Sequence, residues 1–270
     1  MGRPLWQVKI LKKFYKNSKY YPWLLKVPIL TKIFQDYAKD DKIFYLTKDR
    51  VIKVNQSIDK HEEMILPSKI VEIFIKRAKY LWILNECFCR DAIKCKKYPI
   101  DLGCLFLGEA VLDINPLLGR LVTQQEALDH VKACREAGLI HQIGRNRVDA
   151  FWLNVGPENK LMTICSCCEC CCLAKISINA PPKIKAATKK MPGVEIEVTE
   201  HCIGCGRCTQ SICPFNAISL VNNRSHISED CHACGRCIEI CPNNAIKLNI
   251  LDTKFADIII KDLELIMDIG

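Results

Sequence analysis

Residues 202–208 read Cys-Ile-Gly-Cys-Gly-Arg-Cys, and residues 231–237 repeat this pattern as Cys-His-Ala-Cys-Gly-Arg-Cys. Each copy continues to a Cys-Pro pair, at 213–214 and at 241–242, and then to an apolar segment of the form Ala-Ile-x-Leu. Two copies of one short unit predict a small domain with pseudo-twofold symmetry, which we place at 194–250. This repeat decides the fold of the C-terminal part of the chain.

The cysteine spacing of the repeat is typical of iron–sulfur ligands. Three thiolates at C-x2-C-x2-C can hold one face of a cubane, and in two-cluster proteins the cysteine before each proline ligates the other cluster. We therefore expect two [4Fe–4S] clusters with crossed ligand sets: Cys202, Cys205, Cys208 and Cys241 for one, and Cys231, Cys234, Cys237 and Cys213 for the other. A zinc site would use only the C-x2-C pairs and would leave the third cysteine and the proline of each copy without a role.

The first copy of the repeat contains one residue more than the second. Four residues separate Cys208 from Cys213, whereas three separate Cys237 from Cys241. This insertion predicts a bulge in the loop before Cys213 and leaves the expected ligand set unchanged. Hydrogen bonds and solvent access set the potential of such clusters, so the loop bears on the potential of the cluster that takes Cys213.

Eleven further cysteines lie between Cys87 and Cys172. We interpret Cys134 as a core residue, because it shares the apolar face of a predicted helix with Ala127 and Val131. The other ten are candidate metal ligands: Cys87, Cys89, Cys95, Cys104, Cys165, Cys167, Cys168, Cys170, Cys171 and Cys172. Adjacent residues point in different directions, so we expect some of these thiols to ligate and others to surround the site. They predict one or two further iron–sulfur clusters, with zinc as the alternative.

The nineteen cysteines among 270 residues could also form disulfides. Disulfide frameworks suit short secreted chains that cannot build a core. This chain is 49% hydrophobic, which is enough for one or two packed domains. Lysines and aromatic residues interrupt its first segment, where a signal peptide would be continuously apolar. We therefore expect a cytoplasmic protein in a reducing compartment, without a transmembrane span.

Positive charge is concentrated in the first 45 residues. The net charge is +9, and eight lysines and arginines precede the first acidic residue, Asp36. Aromatic residues are interspersed, and Leu30, Ile33, Phe34 and Tyr37 fall at helical spacing, so we expect one or two amphipathic helices. A basic segment can dock on an acidic partner protein, an anionic lipid surface or nucleic acid. Nucleic acid is the least favoured of these, because aromatic residues at helical spacing indicate core packing rather than base stacking.

The cysteine pattern as a whole resembles a known family. From about residue 51 to residue 250, the chain is similar to the ferredoxin-domain 4Fe–4S binding proteins of anaerobic archaea and bacteria. The shared motifs are Cys87-Phe-Cys89-Arg90, Cys95, residues 103–110, Glu126-Ala127, residues 138–141, the run 165–172 and the C-terminal repeat. The repeat itself is similar to the bacterial-type two-cluster ferredoxins. This resemblance implies iron–sulfur clusters but no particular reaction.

The predicted fold class is α+β, with a mixed α/β cysteine-rich domain followed by a ferredoxin-like two-cluster domain. The expected segments are a basic helical segment at 1–45, a cysteine-rich metal-binding domain at 46–172, a linker at 173–193, the ferredoxin-like domain at 194–250 and a C-terminal tail at 251–270.

Within the cysteine-rich domain, four local patterns predict secondary structure. Alternating residues predict a strand at 44–54, and a short apolar run predicts another at 81–84. Pro67, with Ser68 as the N-cap, opens a predicted helix. Thr123 followed by Glu126 forms a capping box for a helix at about 124–137.

Several polar residues in the region of the N-terminal cysteines, 87–172, are candidates for a substrate site: Arg90, Asp91, Glu109, His141, Arg145 and Arg147. Each has a simpler interpretation as a solvated residue, and His141, expected just after a helix, is interpreted as a surface residue rather than a metal ligand. The chain has neither the G-x-G-x-x-G nor the P-loop fingerprint. Binding of NAD or ATP by those routes is therefore not expected.

Three functions fit these patterns, in order of preference. The first is an electron-transfer protein or subunit, in which two [4Fe–4S] clusters pass low-potential electrons between redox partner proteins and the N-terminal metallocentre. The second is a reductase whose N-terminal cluster keeps an open coordination position for a small sulfur-type substrate. The third is a nucleic-acid-binding iron–sulfur protein. Whether the chain is an enzyme stays open at this point.

Overall fold

The computed structural model describes residues 2–17, 40–55, 64–173 and 182–270, together with the single positions 27, 29, 32 and 175. The protein is α+β, as the sequence predicts. The N-terminal part contains a seven-stranded sheet, and the C-terminal part contains two pairs of strands.

The strands of the large sheet are β1 Lys42–Tyr45, β2 Leu81–Leu84, β3 Leu105–Leu107, β4 Gly119–Leu121, β5 Ile140–Arg145, β6 Met162–Cys167 and β7 Thr188–Lys190. They lie in the order β4-β2-β3-β6-β5-β1-β7. Only the edge pair β1 and β7 is parallel, and the other neighbours are antiparallel. The strand predicted at 81–84 is confirmed.

The described helices are α1 Leu5–Asn17, α2 Asp49–Asn55, α3 Pro67–Arg77, α4 Phe88–Ile93, α5 Gln124–Glu136, α6 Arg147–Leu153, α7 Pro182–Lys185, α8 Arg236–Ile240 and α9 Phe255–Glu264. Short 3-10 helices lie at Glu109–Asp113, Pro116–Leu118, Glu158–Lys160 and Arg207–Thr209. The capping box at Thr123 and Glu126 is present at the start of α5. Within these residues, no helix is both long and apolar enough to span a bilayer.

Side chains on both faces of the sheet are buried. Successive residues of a strand point to opposite faces, and strand β3 illustrates this. Leu105 and Leu107 pack in the core with helices α3, α5 and α9, whereas Phe106 packs on the other face beside Trp82 and Trp152. The sheet is therefore covered on both sides, and the cysteines at the ends of its strands lie between packed layers.

The C-terminal module pairs β8 Val194–Val198 with β11 Ile246–Ile250, and β9 Ile218–Val221 with β10 Arg224–Ile227. Corresponding positions of the two copies have matching backbone conformations. Gly206 and Gly235 have φ values of 72° and 85°, and Asn216 and Asn244 have φ values of 51° and 49°. The repeat in the sequence is thus a repeat in the backbone as well.

The module packs directly on the N-terminal domain. The Thr47 hydroxyl donates to the carbonyl of Ala233 at 2.8 Å, and both groups are buried. Gly235 lies so close to Val51 that a Cβ built on it would be 2.7 Å from the valine Cγ2. Lys48 and Arg50 both bind the carboxylate of Glu239. The first cysteine-bearing turn of the second copy is therefore part of the interface.

Two segments differ from the sequence predictions. The strand predicted at 44–54 ends at Tyr45, and α2 begins at Asp49, whose carboxylate accepts the backbone N–H of Ser68. Ser68 lies inside α3 rather than at its N-cap, which is Leu66, because Pro67 occupies the first turn. The apolar face of this helix is buried through Val71, Phe74 and Ile75.

The segment expected to be a C-terminal tail, 251–270, contains helix α9. Its apolar face is buried in the core through Phe255, Ile259 and Leu263. The end of the expected linker forms β7, which adds an edge strand beside β1. Helix α1 lies within the predicted basic segment, whereas the helical pattern at residues 30–37 falls outside the described residues.

Candidate metal centres

The first ferredoxin-type set of cysteines, called site 1, is Cys202, Cys205, Cys208 and Cys241. All four line one cavity, together with Ile203, Ser225 and Ile246. Cys208 is buried, whereas Cys205 and its neighbour Ile203 are exposed. Site 1 thus brings together three cysteines of the first copy and one of the second, and it opens on the surface.

The second set, called site 2, is Cys213, Cys231, Cys234 and Cys237. These four also line one cavity, beside Phe215 and His232, whose rings stack with centroids 3.9 Å apart. Burial raises the pKa of Cys234 to about 11 and that of Cys237 well above its ordinary value. Site 2 is therefore the more enclosed of the two, and a bound cation would have to stabilise its thiolates.

Backbone and hydroxyl donors point at the sulfurs of both sites. Ala217 N–H donates to Cys213 Sγ at 3.4 Å, and the equivalent Ala245 N–H donates to Cys241 Sγ at 3.3 Å. The Ser225 hydroxyl lies 3.1 Å from Cys208 Sγ. Donors of this kind stabilise thiolate and cluster sulfur, and they tune the reduction potential. Convergent thiols, oriented donors and apolar walls make both sites fit a [4Fe–4S] cluster.

The one-residue insertion changes the loop before Cys213. In the second copy, helix α8 leads from Arg236 towards Cys241. In the first copy, the equivalent residues form the 3-10 helix Arg207–Thr209, and Ser211 follows with a φ of 57°. A left-handed residue in the loop accommodates the extra length, so Cys213 still reaches site 2.

The ten remaining candidate cysteines of the N-terminal domain separate into two groups. The four-thiol group is Cys95, Cys168, Cys170 and Cys171, whose Sγ atoms all lie within 4.8 Å of one another. The six-thiol group is Cys87, Cys89, Cys104, Cys165, Cys167 and Cys172, which are linked in a series of thiol contacts. The separation follows from strand geometry: Cys165 and Cys167 point to one face of β6, and Cys168 turns to the other.

The six-thiol group is buried and crowded. Cys104 Sγ lies 3.5 Å from Cys165 Sγ. Hydrogen bonds from Cys104 and Cys89 hold the pKa of Cys87 well below its ordinary value, although burial opposes them. Cys165, by contrast, has a raised pKa because of its hydrogen bonds to Cys104 and Cys167 and because of burial. Only part of such an array can ionise without added cations, and metal ions would supply that positive charge.

Arg90 holds the segments that carry the six thiols. Its guanidinium donates to the carbonyls of Pro99 at 2.7 Å and Ser166 at 2.6 Å, and it also donates to Leu102. The side chain is 1% exposed. The expectation of a solvated or substrate-binding arginine is therefore wrong, because all three hydrogen bonds are to the backbone of the cysteine-bearing loops.

The remaining polar candidates do not converge on one place. His141 is buried on β5, where its Nε2 lies 3.2 Å from the Val131 carbonyl and its Nδ1 lies 3.2 Å from the Ser166 hydroxyl. Both ring nitrogens are thus engaged, and burial lowers the pKa of His141 to about 4. The expectation of a surface histidine is wrong. The others form ion pairs at the surface or near it: Asp91 with Lys12, Glu109 with Lys160, Arg145 with Asp40, and Arg147 with Asp40 and Glu158.

Cys134 is fully buried on α5 with Ala127 and Val131, as expected of a core residue. Its Sγ lies 3.7 Å from His130 Nε2. Burial raises the pKa of Cys134 to about 11. It belongs to neither thiol group.

The cysteine repeat matches one known family. Residues 195–242 match the family model described as 4Fe-4S dicluster domain, and this range contains all eight cysteines of sites 1 and 2. The match supports at least one [4Fe–4S] cluster and an iron–sulfur electron-transfer role. No curated protein and no solved structure matches the chain.

Site 2 of the C-terminal module lies beside the six-thiol group. Cys213, Cys231 and Cys234 pack in one apolar cluster with Cys165, Cys167 and Cys172 of the N-terminal domain. Tyr45, which is fully buried, lies in the same cluster. Cysteines of site 2 and of the six-thiol group therefore share one packed cluster, with Tyr45 among them.

Arg236 and Glu169 were not identified from the sequence. Burial would lower the pKa of Arg236, but the Glu169 carboxylate reverses this, so the guanidinium remains charged. Arg236 also donates to the carbonyl of Cys167 at 2.9 Å. In the sequence, Arg236 has the same Gly-Arg-Cys setting as Arg207, which is exposed, so no local signal distinguishes them.

Proposed function

We propose that this protein transfers electrons through two [4Fe–4S] clusters, held by sites 1 and 2, to a third metallocentre held by the six-thiol group. Iron–sulfur clusters supply one-electron carriers of low potential. The observation that carries the proposal is the shared packing of site 2 cysteines with Cys165, Cys167 and Cys172. Redox centres whose ligands belong to one packed cluster are close together, which favours electron transfer between them.

The order of the three centres follows from their exposure. Site 1 includes the exposed Cys205 and Ile203, so a soluble redox partner can approach it. Ile218 lines site 2 and Ile246 lines site 1, and the two isoleucines lie in one apolar cluster between the sites. We propose that electrons enter or leave at site 1 and that the six-thiol group is the inner end of the path.

Tyr45 supports the presence of cluster sulfur at the inner junction. Within the described residues its hydroxyl has no hydrogen-bond partner, although the residue is completely buried. A buried hydroxyl without a partner is costly in free energy. Cys172, Cys167 and Cys234 are close enough to raise the pKa of Tyr45, although burial is the largest cause of the increase. A thiolate or sulfide of a bound cluster would supply the missing acceptor.

Helix α1 lies beside both thiol groups, because its Tyr15 is close to Cys89 and Cys172 of one group and to Cys171 of the other. We propose that the helix is also a docking surface. The Tyr15 hydroxyl donates to the Cys171 carbonyl at 2.6 Å, and Val8 packs in the core. Lys9, Lys13 and Lys16 lie on the exposed side of the helix. We propose that these lysines attract an acidic redox partner and that salt weakens the attraction.

The test uses anaerobically prepared protein, titrated with reductant and followed by EPR. We expect at least eight irons with acid-labile sulfide, and spin–spin broadening between the reduced centre at site 2 and the N-terminal centre. The variant Cys104→Ala should lose that broadening and keep the EPR signals of sites 1 and 2. The buried control Cys134→Ala should keep the broadening as well as the two signals. No more than four irons, or an N-terminal group that accepts no electron while sites 1 and 2 are reduced, would overturn the proposal.

A further inference from the structure

The four-thiol group has a geometry different from that of the other cysteine sets. Cys95 Sγ lies 3.6 Å from Cys170 Sγ, which lies 3.5 Å from Cys171 Sγ. With Cys168, all four sulfurs are within 4.8 Å of one another. In the part of the chain that the structure describes, no other set of metal-ligating side chains meets this condition.

These separations match the size of a single ion. Four thiolates around a tetrahedral zinc ion, with bonds of about 2.3 Å, lie about 3.8 Å from one another. A polynuclear cluster holds its thiolates further apart, because metal and sulfide atoms lie between them. We infer that Cys95, Cys168, Cys170 and Cys171 bind one zinc ion as a closed tetrathiolate site, separate from the iron–sulfur centres.

The local backbone brings these thiols together from two segments. Cys168 follows the end of β6, and the turn at 169–171 places the Cys171 N–H 3.4 Å from Cys168 Sγ. Cys95 comes from the loop after α4, where Lys94 takes a left-handed φ of 58° and the Cys95 N–H donates to the Arg90 carbonyl. Two separate segments are thereby joined at one point, which is the usual role of a structural zinc ion.

The site also fixes a contact with the C-terminal module. Glu169 lies between Cys168 and Cys170, and its carboxylate binds Arg236 of helix α8 at 2.8 Å. An ion that holds the flanking cysteines keeps this carboxylate in position. Zinc has no redox chemistry, so the site positions the junction without taking part in electron transfer.

Metal analysis of the purified protein tests the inference independently of the proposed function. We expect one zinc per chain in addition to iron, and an X-ray absorption spectrum at the zinc edge with four sulfurs at about 2.3 Å and no metal neighbour. Cys95→Ser and Cys170→Ser should each lose the zinc and retain the EPR signals of sites 1 and 2. Cys134→Ser is the matched control, because Cys134 packs in the same cluster as Cys168 and Cys171 without being one of the four thiols, and it should keep the zinc.

The outcomes separate the two hypotheses. Loss of iron and acid-labile sulfide in Cys95→Ser, with no zinc in the parent protein, would mean that the group belongs to an iron–sulfur cluster and would overturn the inference. Zinc retained in both Cys95→Ser and Cys170→Ser would also overturn it. If the variants fail to fold, substitution of cobalt into the parent protein decides the matter, since tetrahedral thiolate coordination gives intense sulfur-to-cobalt absorption and its absence counts against the site.

Discussion

The Arg236 guanidinium lies 2.8 Å from the Glu169 carboxylate, and the two side chains are 4% and 3% exposed. Arg236 precedes a cysteine of site 2, and Glu169 lies within the cysteine run of the N-terminal domain. Tyr98 adds its hydroxyl, which donates to Glu169 at 2.8 Å. A buried ion pair therefore connects the cysteine run of the N-terminal domain with site 2 of the C-terminal module.

Removal of the buried charge at Arg236 is expected to destabilise the protein strongly. Breaking a buried ion pair by removing one partner costs about 3–5 kcal/mol, and the charged partner left to Glu169 is Lys97, whose side chain is mostly exposed. Arg236→Gln should therefore lower the midpoint of urea denaturation by a large margin under anaerobic conditions. Arg207→Gln, the equivalent change in the first copy, should alter stability by less than about 0.5 kcal/mol because that side chain is exposed. Equal effects of the two variants would contradict the importance of the buried pair.

A methyl group at Gly235 should disturb the interface with α2. Both Gly206→Ala and Gly235→Ala place alanine at a positive φ, which costs about 1–2 kcal/mol. The new Cβ at 235 would also meet Val51 at 2.7 Å, whereas at 206 the nearest atom is 3.3 Å away. We expect Gly235→Ala to lose about 1–3 kcal/mol more, and Val51→Ala to recover part of that difference. Thermal denaturation of Gly206→Ala, Gly235→Ala and the double variant Gly235→Ala/Val51→Ala measures these differences in stability.

The crossed ligand sets predict which centre depends on Cys213. Cys213→Ala should remove the EPR signal of the cluster at site 2, because its sulfur lines that cavity with Cys231, Cys234 and Cys237. Cys241→Ala is the symmetric control and should affect site 1 instead. If Cys213→Ala removes the signal that Cys202→Ala also removes, the ligand pairing is the reverse of the one proposed.

Helix α1 should protect the six-thiol group from reagents. The Tyr15 ring lies 5.8 Å from that of Phe88, between the helix and the segment that carries Cys87 and Cys89. Tyr15→Ala should increase the rate at which iodoacetamide labels these cysteines, whereas Trp6→Ala, on the exposed side of α1, should not. Mass spectrometry of labelled peptides gives the rates. Unchanged labelling in Tyr15→Ala would mean that the helix does not shield the group.

Asp149 predicts a dependence of stability on pH. Burial raises its pKa to about 6, although Trp152 Nε1 and Asn146 Nδ2 donate to it. The unfolded chain releases this proton at lower pH than the folded one, so the free energy of unfolding should fall as pH rises from about 4 to about 6, by up to about 3 kcal/mol in total. Asp149→Asn should remove this decline and be the more stable form at pH 7. Urea denaturation between about pH 4 and about pH 7 measures both profiles.

The spacing of cysteines and prolines within each copy of the repeat predicts which thiols line each cavity of the C-terminal module. The four thiols that line each cavity are those expected from the C-x2-C-x2-C-and-proline pattern, because the information lies within a few residues of each ligand. Helix α5 was predictable for a similar reason, since its capping box and its buried face are local features. Whether the thiols bind clusters stays a prediction.

The grouping of the N-terminal cysteines could not be predicted in the same way. Cys167 and Cys168 are adjacent in the sequence yet belong to different groups, because the end of β6 directs successive side chains to opposite faces. The other members of each group come from residues 87–104, which lie far away in the sequence and which the fold brings near. The C-terminal helix was missed because its apolar face has no partner within its own segment of sequence.

Helix α9 is synthesised after all the cysteines, and this affects when the core can form. Its buried residues Phe255, Ile259 and Leu263 complete the core beneath the large sheet, and beyond the helix the Ile269 carbonyl accepts the N–H of Lys79. Every cysteine in the chain precedes this helix, so a ribosome synthesises all nineteen thiols before it makes the segment that covers the core. A chain stalled before residue 255 would present an apolar sheet face to solvent along with its thiols. Any metal loaded before α9 is made would therefore enter an intermediate whose core is still incomplete.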